Sequence, residues 1–267
     1  MDADPMETPR ASEPDKARLL PLGDAAWTVE FGCEINPAAH ARVMRLANQV
    51  RAQQGVDAAL TGVHDVVPTF RSLTVLFDPL RADAEALGAR LQALSSADGV
   101  SLPVGSRWRL PVCFAPAFAP DLADVSAACG LSQDEVVQRL ARTLFRVCMM
   151  GFMPGFPYLT GLPAELVMPR LATPRKVVPA GSLAVAGSMC GVYPWASPGG
   201  WRLLGHIPLP LFDLAQTEAP AWLTAGDTVR WMAVDRTEHD RLAADWARGV
   251  LVRQDFQETE GLSCRTV

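Results

Sequence analysis

Lysine is almost absent from this chain of 267 residues, which contains only Lys16 and Lys176 among 24 basic residues. A P-loop places a lysine directly before a helix, and no such glycine-rich motif occurs. The formal net charge is −5 and no cluster of Lys and Arg is present, whereas a nucleic-acid surface needs many cations to neutralise phosphates. The sequence therefore argues against a P-loop nucleotide site and against nucleic-acid binding.

Long apolar runs and paired cysteines are also missing. No run approaches the roughly 20 residues that cross a bilayer, and the acidic, Pro-rich N-terminus lacks the basic start and apolar block of a secretory signal. We therefore expect a cytoplasmic protein whose residues 1–17 form a disordered tail. The six cysteines and four histidines are scattered without any CxxC pair, so we expect neither disulfides nor a metal site.

Residues 18–100 show the pattern strand, helix, strand, strand, helix. Trp27, Val29 and Phe31 alternate as in a half-buried strand. Asn36 and Pro37 are typical of a helix start, and Gly55 of its end. The other elements are expected at residues 63–68 and 73–77 (strands) and 80–94 (helix, with an apolar stripe that begins at Leu80). A closing strand would complete a ferredoxin-like α/β domain.

The small, polar segment 95–106 is the best candidate for a linker. A strand is expected after it, from residue 107, and two short helices near residues 121–129 and 132–142, the second with a capping box of Ser132 and Glu135. From Leu144 onward, short strands alternate with Gly and Pro, which is typical of a β-barrel. We therefore predict an α+β fold with a barrel domain at 107–240 and a C-terminal extension at 241–267.

Two arginines of the barrel region indicate a site for an anion. Arg170 and Arg175 each follow a proline, which limits the freedom of the backbone. A guanidinium group held in this way suits a carboxylate or a phosphate, because it donates two parallel hydrogen bonds. Ser182, Gly199 and Gly200 lie in turns whose amides can face an anion. For both arginines, pairing with carbonyls or acids of the barrel is the alternative.

Aromatic residues accompany the arginines. Phe152, Phe156 and Tyr158 lie between turns of "GFMPGFPYLTGLP", and Trp201 ends "SPGGW". We expect these four to form the wall of a pocket or a contact with a partner, with packing in the barrel core as the alternative. Tyr193 is one of only two tyrosines, and its hydroxyl is a candidate for contact with a ligand.

Three further residues have side chains suited to catalysis but lack supporting neighbours. Ser182 lies outside any GxSxG motif, so a hydrogen-bonding role is favoured over a nucleophilic one. Nothing near Cys190 in the sequence would lower its pKa, so a buried structural cysteine is favoured. His206 titrates in a range that suits proton transfer, although a loop residue facing solvent is the simpler interpretation. The catalytic residues stay unassigned.

Four segments together carry a resemblance to a known family. "GFMPGFPYL", "PRKVVPAGSLAVAG", "GVYP" and "SPGGWRLLGHIPLPLFD" resemble, in order and spacing, the family of 5-oxoprolinase B subunits, also called allophanate hydrolase subunit 1 or Kip-inhibitor-like. The similarity runs from about residue 20 to residue 234. It implies a small α/β domain followed by a cyclophilin-like β-barrel.

The resemblance implies more than one function. Similar chains act with two further subunits, a cyclophilin-like C subunit plus a separate A subunit, to open 5-oxo-L-proline to L-glutamate with ATP hydrolysis. A chain of this kind is inactive alone, and ATP is bound by it or by one of the others. A second type of relative is half of the carboxyltransferase part of a biotin-dependent urea carboxylase. A third binds and inhibits a sensor histidine kinase. We expect the first function and keep the other two as alternatives.

The sequence departs from the family pattern at four positions. A His and a Tyr five residues apart are replaced by Leu140 and Phe145, and a Gln-Thr pair by Met189 and Cys190. If those polar groups contact the substrate in relatives, the change of residue bears on the substrate or favours a regulatory role.

Overall fold

The computed structural model describes residues 16–96 and 105–258. The chain divides into two compact units, residues 1–102 and 103–267. The predicted tail lies almost entirely outside the described residues, as do most of the predicted linker and the end of the predicted C-terminal extension. The domain boundaries proposed from the sequence stay predictions.

The first unit is an antiparallel sheet covered by helices. Its strands have the spatial order β1-β2-β4-β3. The strands are β1 (Arg18–Pro21), β2 (Ala26–Glu30), β3 (Val63–Pro68) and β4 (Ser72–Phe77), and the helices are α1 (Pro37–Gln53), α2 (Ala84–Ser95) and a 3₁₀ turn at Ala58–Leu60. Its core combines alternate strand residues with the apolar faces of both helices, among them Val29, Val43, Leu73 and Leu91.

Side-chain caps start both helices. Asn36 accepts a hydrogen bond from the N–H of Ala39 at 2.8 Å, which confirms the predicted start of α1. Asp83 caps α2 in the same way, so this helix begins after Leu80. The prediction that Leu80 belongs to the apolar stripe was wrong: the side chain is 94% exposed, because it precedes the cap.

A strand that the sequence did not predict occupies one edge of the sheet. β1 pairs with β2 in antiparallel register, from Arg18 opposite Glu30 to Pro21 opposite Trp27. It takes the place beside β2 where a ferredoxin-like domain has its closing strand. This edge strand therefore comes first in the chain and not last, and the ferredoxin-like topology is not confirmed.

The second unit contains a closed barrel of seven strands, which confirms the predicted barrel. Its order is β10-β7-β6-β13-β5-β12-β9, and β11 and β8 form a separate two-stranded ribbon. The strands are β5 (Arg107–Cys113), β6 (Phe145–Met150), β7 (Pro157–Thr160), β8 (Arg175–Val178), β9 (Ser182–Ala186), β10 (Met189–Val192), β11 (Ser197–Gly199), β12 (Arg202–His206) and β13 (Thr228–Val234). β13 pairs in parallel with β5 over all seven residues.

In the described part of the second unit, the barrel is accompanied by the helices α3 (Leu122–Cys129), α4 (Gln133–Arg142) and α5 (Arg236–Ala247), with 3₁₀ turns at Ala164–Leu166 and Arg253–Phe256. The predicted capping box of α4 is confirmed by reciprocal hydrogen bonds between Ser132 and Glu135. α5 runs across the boundary that was predicted at residue 240. Within the described ranges, no helix combines the length and the apolar character needed to cross a membrane.

Candidate ligand-binding cavity

A cavity of about 260 Å³ lies beside the two-stranded ribbon of the second unit. It is lined mainly by aromatic rings and by residues of proline- and glycine-rich turns. The lining residues are Phe152, Phe156, Tyr158, Arg170, Pro174, Tyr193, Pro198, Gly199, Gly200 and Trp201. Eight of the ten residues singled out from the sequence are therefore brought together here.

Phe156 is the centre of the aromatic wall. Its ring is buried and meets the rings of Tyr193 and Trp201 edge-on, with centroids 5.2 and 5.7 Å apart. Tyr158 lies at 4.9 Å, and Phe152 covers the outer side at 5.7 Å. Such edge-to-face contacts fix ring orientation as well as burying apolar area. The wall is thus rigid on its inner side.

Phe152 differs from the other aromatic residues of the cavity in both exposure and backbone conformation. The residue is 67% exposed, and its φ angle is 69°. A bulky residue in this left-handed region is strained, and such strain clusters at functional sites. The sequence signal was the turn-rich segment around Gly151, but it did not predict the strain.

The two tyrosines of the chain face the same cavity. Burial raises the pKa of Tyr158, and the positive charge of Arg170 acts in the opposite direction. Burial also raises the pKa of Tyr193. A hydrogen bond from the backbone of Trp201 and the positive charges of Arg170 and Arg175 lower this pKa, but by less. Both phenols therefore stay protonated near neutral pH and are able to donate hydrogen bonds.

Arg170 supplies the positive charge of the cavity. Its side chain is exposed, and no acidic side chain in the described part of the chain lies within salt-bridge distance. The next residue anchors this loop, because the N–H of Leu171 donates to the carbonyl of Gly200 at 2.7 Å. A guanidinium group without an acidic partner, beside apolar rings, suits a carboxylate ligand.

Arg175 does not line the cavity, in contrast to the prediction. Its Nη2 donates to Oδ1 of Asp121 at 2.7 Å, and Nη1 lies 3.5 Å from the carbonyl oxygen of Trp201. The acid that holds it comes from the start of α3, far away in the sequence. The guanidinium is therefore tied to the protein and not presented to a ligand.

Ser182 is also outside the cavity. It is buried in β9 opposite His206 of β12, and its carbonyl accepts a hydrogen bond from the N–H of Tyr193. It supports the cavity through its backbone. The lining residues that the sequence analysis missed are Pro174 and Pro198, whose only signal was their place beside Arg175 and Gly199.

The chain matches the family described as carboxyltransferase domain, subdomain C and D, over residues 17–223. It is 38% identical to the 5-oxoprolinase B subunit of Escherichia coli O157:H7 over 217 residues, 81% of this chain and 96% of that protein. The 5-oxoprolinase B subunit of Bacillus subtilis strain 168 is 33% identical over 232 residues, 82% of this chain and 93% of that one. This chain belongs to the family of 5-oxoprolinase B subunits.

Two solved structures share the fold of this chain. TTHA0988 superposes with a TM-score of 0.68 at 32% identity, over 79% of this chain, which spans only 40% of the length of TTHA0988. The urea carboxylase of Kluyveromyces lactis has a TM-score of 0.70 at 21% identity, over 89% of this chain and 24% of that protein, which shows a shared fold.

The four positions at which the sequence analysis expects a departure from the family pattern have apolar surroundings. Leu140, Phe145 and Cys190 are fully buried in the barrel core, and Met189 packs against the aromatic cluster around Phe156. Burial raises the pKa of the Cys190 thiol, so a thiolate is disfavoured. None of the four lines the cavity, and their side chains serve packing.

His206 lies elsewhere in the second unit. Its Nδ1 is 2.9 Å from Nε2 of His239, its Nε2 is 2.8 Å from the carbonyl of Ala180, and its ring stacks on Phe118. Burial lowers the pKa of His206, and the neighbouring His239 lowers it further. The ring is held by protein contacts and does not reach the cavity.

Proposed function

We propose that this chain is the B subunit of an ATP-dependent 5-oxoprolinase, and that its cavity binds the carboxylate and ring of 5-oxo-L-proline. The observation that carries the proposal is Arg170, a guanidinium without an acidic partner among the described residues, at the edge of an aromatic cavity. The names of the relatives in E. coli, B. subtilis and Haemophilus influenzae, the last 35% identical, support the reaction.

Each part of the cavity has a role in this proposal. Arg170 binds the carboxylate through paired hydrogen bonds. Phe156 and Trp201 pack against the ring and exclude water. Tyr193 accepts a hydrogen bond from the backbone of Trp201, so its O–H is able to donate to the ring carbonyl oxygen and polarise the amide. The substrate is thereby oriented for ring opening to L-glutamate.

The lining of this cavity is poorly matched to ATP. A triphosphate carries several negative charges, whereas Arg170 is the one cation among the lining residues of a space of about 260 Å³. Sites for drug-sized ligands are typically about 300–1,000 Å³. We therefore assign ATP to a different subunit or to a surface shared with one, and we expect this chain to be inactive alone. The expected partners are the A and C subunits.

The experiment is reconstitution of the full chain with homologues of the A and C subunits, followed by measurement of ADP release with 5-oxoproline. The Arg170→Gln variant should raise KM about 10- to 150-fold, the equivalent of about 1.5–3 kcal/mol for a hydrogen bond to a charged group. The matched control is Arg146→Gln, which removes an exposed arginine from β6, outside the cavity.

Three results would contradict the proposal. One is an unchanged KM in Arg170→Gln. Another is a complex that turns over urea with bicarbonate and a biotinylated carrier but not 5-oxoproline. The third is a chain that associates with neither the A nor the C subunit but binds a sensor histidine kinase, which would favour the regulatory alternative.

A further inference from the structure

Asp121 occupies the residue before α3, where a side chain normally caps the helix. Here the carboxylate makes no capping hydrogen bond, although aspartate is among the best N-cap residues. The residue is nonetheless buried, with 4% of its surface exposed. A buried carboxylate that does not cap its own helix must be held by other donors.

Those donors belong to the frame of the cavity. Oδ1 of Asp121 accepts from Nη2 of Arg175 at 2.7 Å, and Oδ2 accepts from the N–H of Leu203 at 2.6 Å. The backbone N–H of Asp121 donates in turn to the carbonyl of Leu203 at 3.1 Å. One residue at the start of α3 is therefore joined to both β8 and β12.

Arg175 extends this connection to the cavity wall. It opens β8, where it pairs with Gly199 of β11, and its guanidinium lies against the carbonyl of Trp201. The segment from Gly199 to Leu203 is thus held at its beginning, middle and end. It is this segment that supplies Gly199, Gly200 and Trp201 to the cavity.

Stability alone is a weak reason for such a pair. The side chains of Arg175 and Asp121 are only 27% and 6% exposed, and burying two charges costs desolvation that apolar residues of similar volume avoid. What a buried pair does provide is a fixed geometry, because each charge must keep its partner.

We propose that Asp121 is a positioning residue for ligand binding. Through its hydrogen bonds to Arg175 and Leu203, it holds the segment Gly199–Trp201, which forms one wall of the cavity, at the distance that the ligand requires. The proposal rests on the proposed function only for the identity of the ligand. Asp121 lies outside the cavity and acts through its partners.

The test uses three variants: Asp121→Asn, Arg175→Met and the double variant. Each single variant leaves one partner of a buried pair behind, so its melting temperature falls. The double variant removes both charges and keeps an acceptor for Leu203, so the melting temperature recovers. The KM for 5-oxoproline in the reconstituted complex should nevertheless stay raised about 10- to 100-fold in all three, with kcat changed less, because a displaced wall misplaces the substrate.

A second measurement does not depend on the substrate. Tyr158 and Tyr193 are the only tyrosines of the chain, so tyrosinate absorbance near 295 nm during a pH titration reports on the cavity alone. Burial is the largest cause of the raised pKa of both. A loosened wall admits water, which lowers the pKa of both phenols, whereas loss of the Arg175 charge acts in the opposite direction on Tyr193. Because Arg175 is not among the causes of the Tyr158 shift, the Tyr158 titration of the double variant should move down towards that of the unfolded chain.

Glu165→Gln, which breaks the exposed pair with Arg139, is the matched control and should change neither KM nor the titration.

The proposal is overturned if the double variant recovers KM together with its melting temperature, since Asp121 would then only stabilise the fold. It is also overturned if the tyrosine titration stays the same in every variant. If the wild-type complex does not act on 5-oxoproline, the proposed function fails, and the titration still decides on Asp121. Should a variant fail to fold, Arg175→Lys, which keeps the charge but not the guanidinium fork, replaces it in both measurements.

Discussion

Two adjacent glycines of the cavity should respond very differently to the same substitution. A Cβ atom at Gly199 would overlap the hydroxyl of Tyr193 and lie 2.8 and 2.9 Å from the ring carbons Cζ and Cε1. A Cβ atom at Gly200 would meet nothing closer than Pro174, at 3.6 Å, an ordinary contact. Neither glycine has a positive φ, so alanine is compatible with both backbones. The pair therefore isolates the effect of space.

The magnitude for Gly199→Ala follows from what can move. The Tyr193 ring is 2% exposed and lies edge-on against Phe156 at 5.2 Å, so it has little room to retreat. Overpacking of this kind typically costs about 1–3 kcal/mol. For a unit of this size that is a fall of roughly 2–12 °C in melting temperature. Gly200→Ala should change stability little or raise it by about 0.4–1 kcal/mol, because alanine reduces the entropy of the unfolded chain.

The assay is thermal unfolding of the full chain by calorimetry, with both variants measured beside the wild type. Adding Tyr193→Phe to Gly199→Ala should recover part of the loss, because it removes the overlapping oxygen and leaves the ring carbons. The reasoning would be refuted by equal melting temperatures of Gly199→Ala and Gly200→Ala. Absence of any recovery in the double variant would show that the strain lies elsewhere.

Two further predictions concern strain and pH. Phe152→Gly should raise the free energy of unfolding by roughly 1 kcal/mol, because φ is positive at this residue and glycine relieves the strain. Phe152→Ala keeps the strain and should not gain stability. Urea titrations measure both variants, and a gain in stability in the alanine variant alone would contradict this prediction. Burial, and to a smaller extent His239, lower the pKa of His206 in the native chain. Below about pH 6.5 the unfolded chain therefore binds a proton at this histidine more tightly than the native chain does. The free energy of unfolding consequently falls as the pH decreases. His206→Gln should lose less stability than the wild type between pH 7 and pH 5, and an equal loss in both would rule out this histidine as the cause.

Local patterns predicted the elements whose causes are local. The cap at Asn36, the capping box of Ser132 and Glu135, and the strand at residues 63–68 depend on neighbours within a few residues, and each is confirmed. The aromatic rings and Arg170 of the stiff segments also lie around one cavity, and their role in binding stays a prediction. Prolines and glycines limit what a backbone can do, so their positions carry information without an alignment.

Partners distant in sequence could not be predicted. Arg170 and Arg175 look equivalent in the sequence, since both follow a proline, and only the position of Asp121 separates their roles. Asp121 in turn looks like an N-cap, and its side-chain contacts depend on a strand that comes much later. The edge strand Arg18–Pro21 is four residues long, too short for an alternating pattern to be recognised.

The parallel pair of β5 and β13 has a consequence for how the protein is made. β5 is the first of the seven barrel strands to be synthesised, and its parallel partner β13 (Thr228–Val234) is the last of the seven. Until then one edge of β5 has no neighbour, and such edges invite association with other nascent chains. The barrel therefore cannot close before the last of its seven strands has been synthesised, and a chain truncated after residue 223, where the family match ends, would lack that strand.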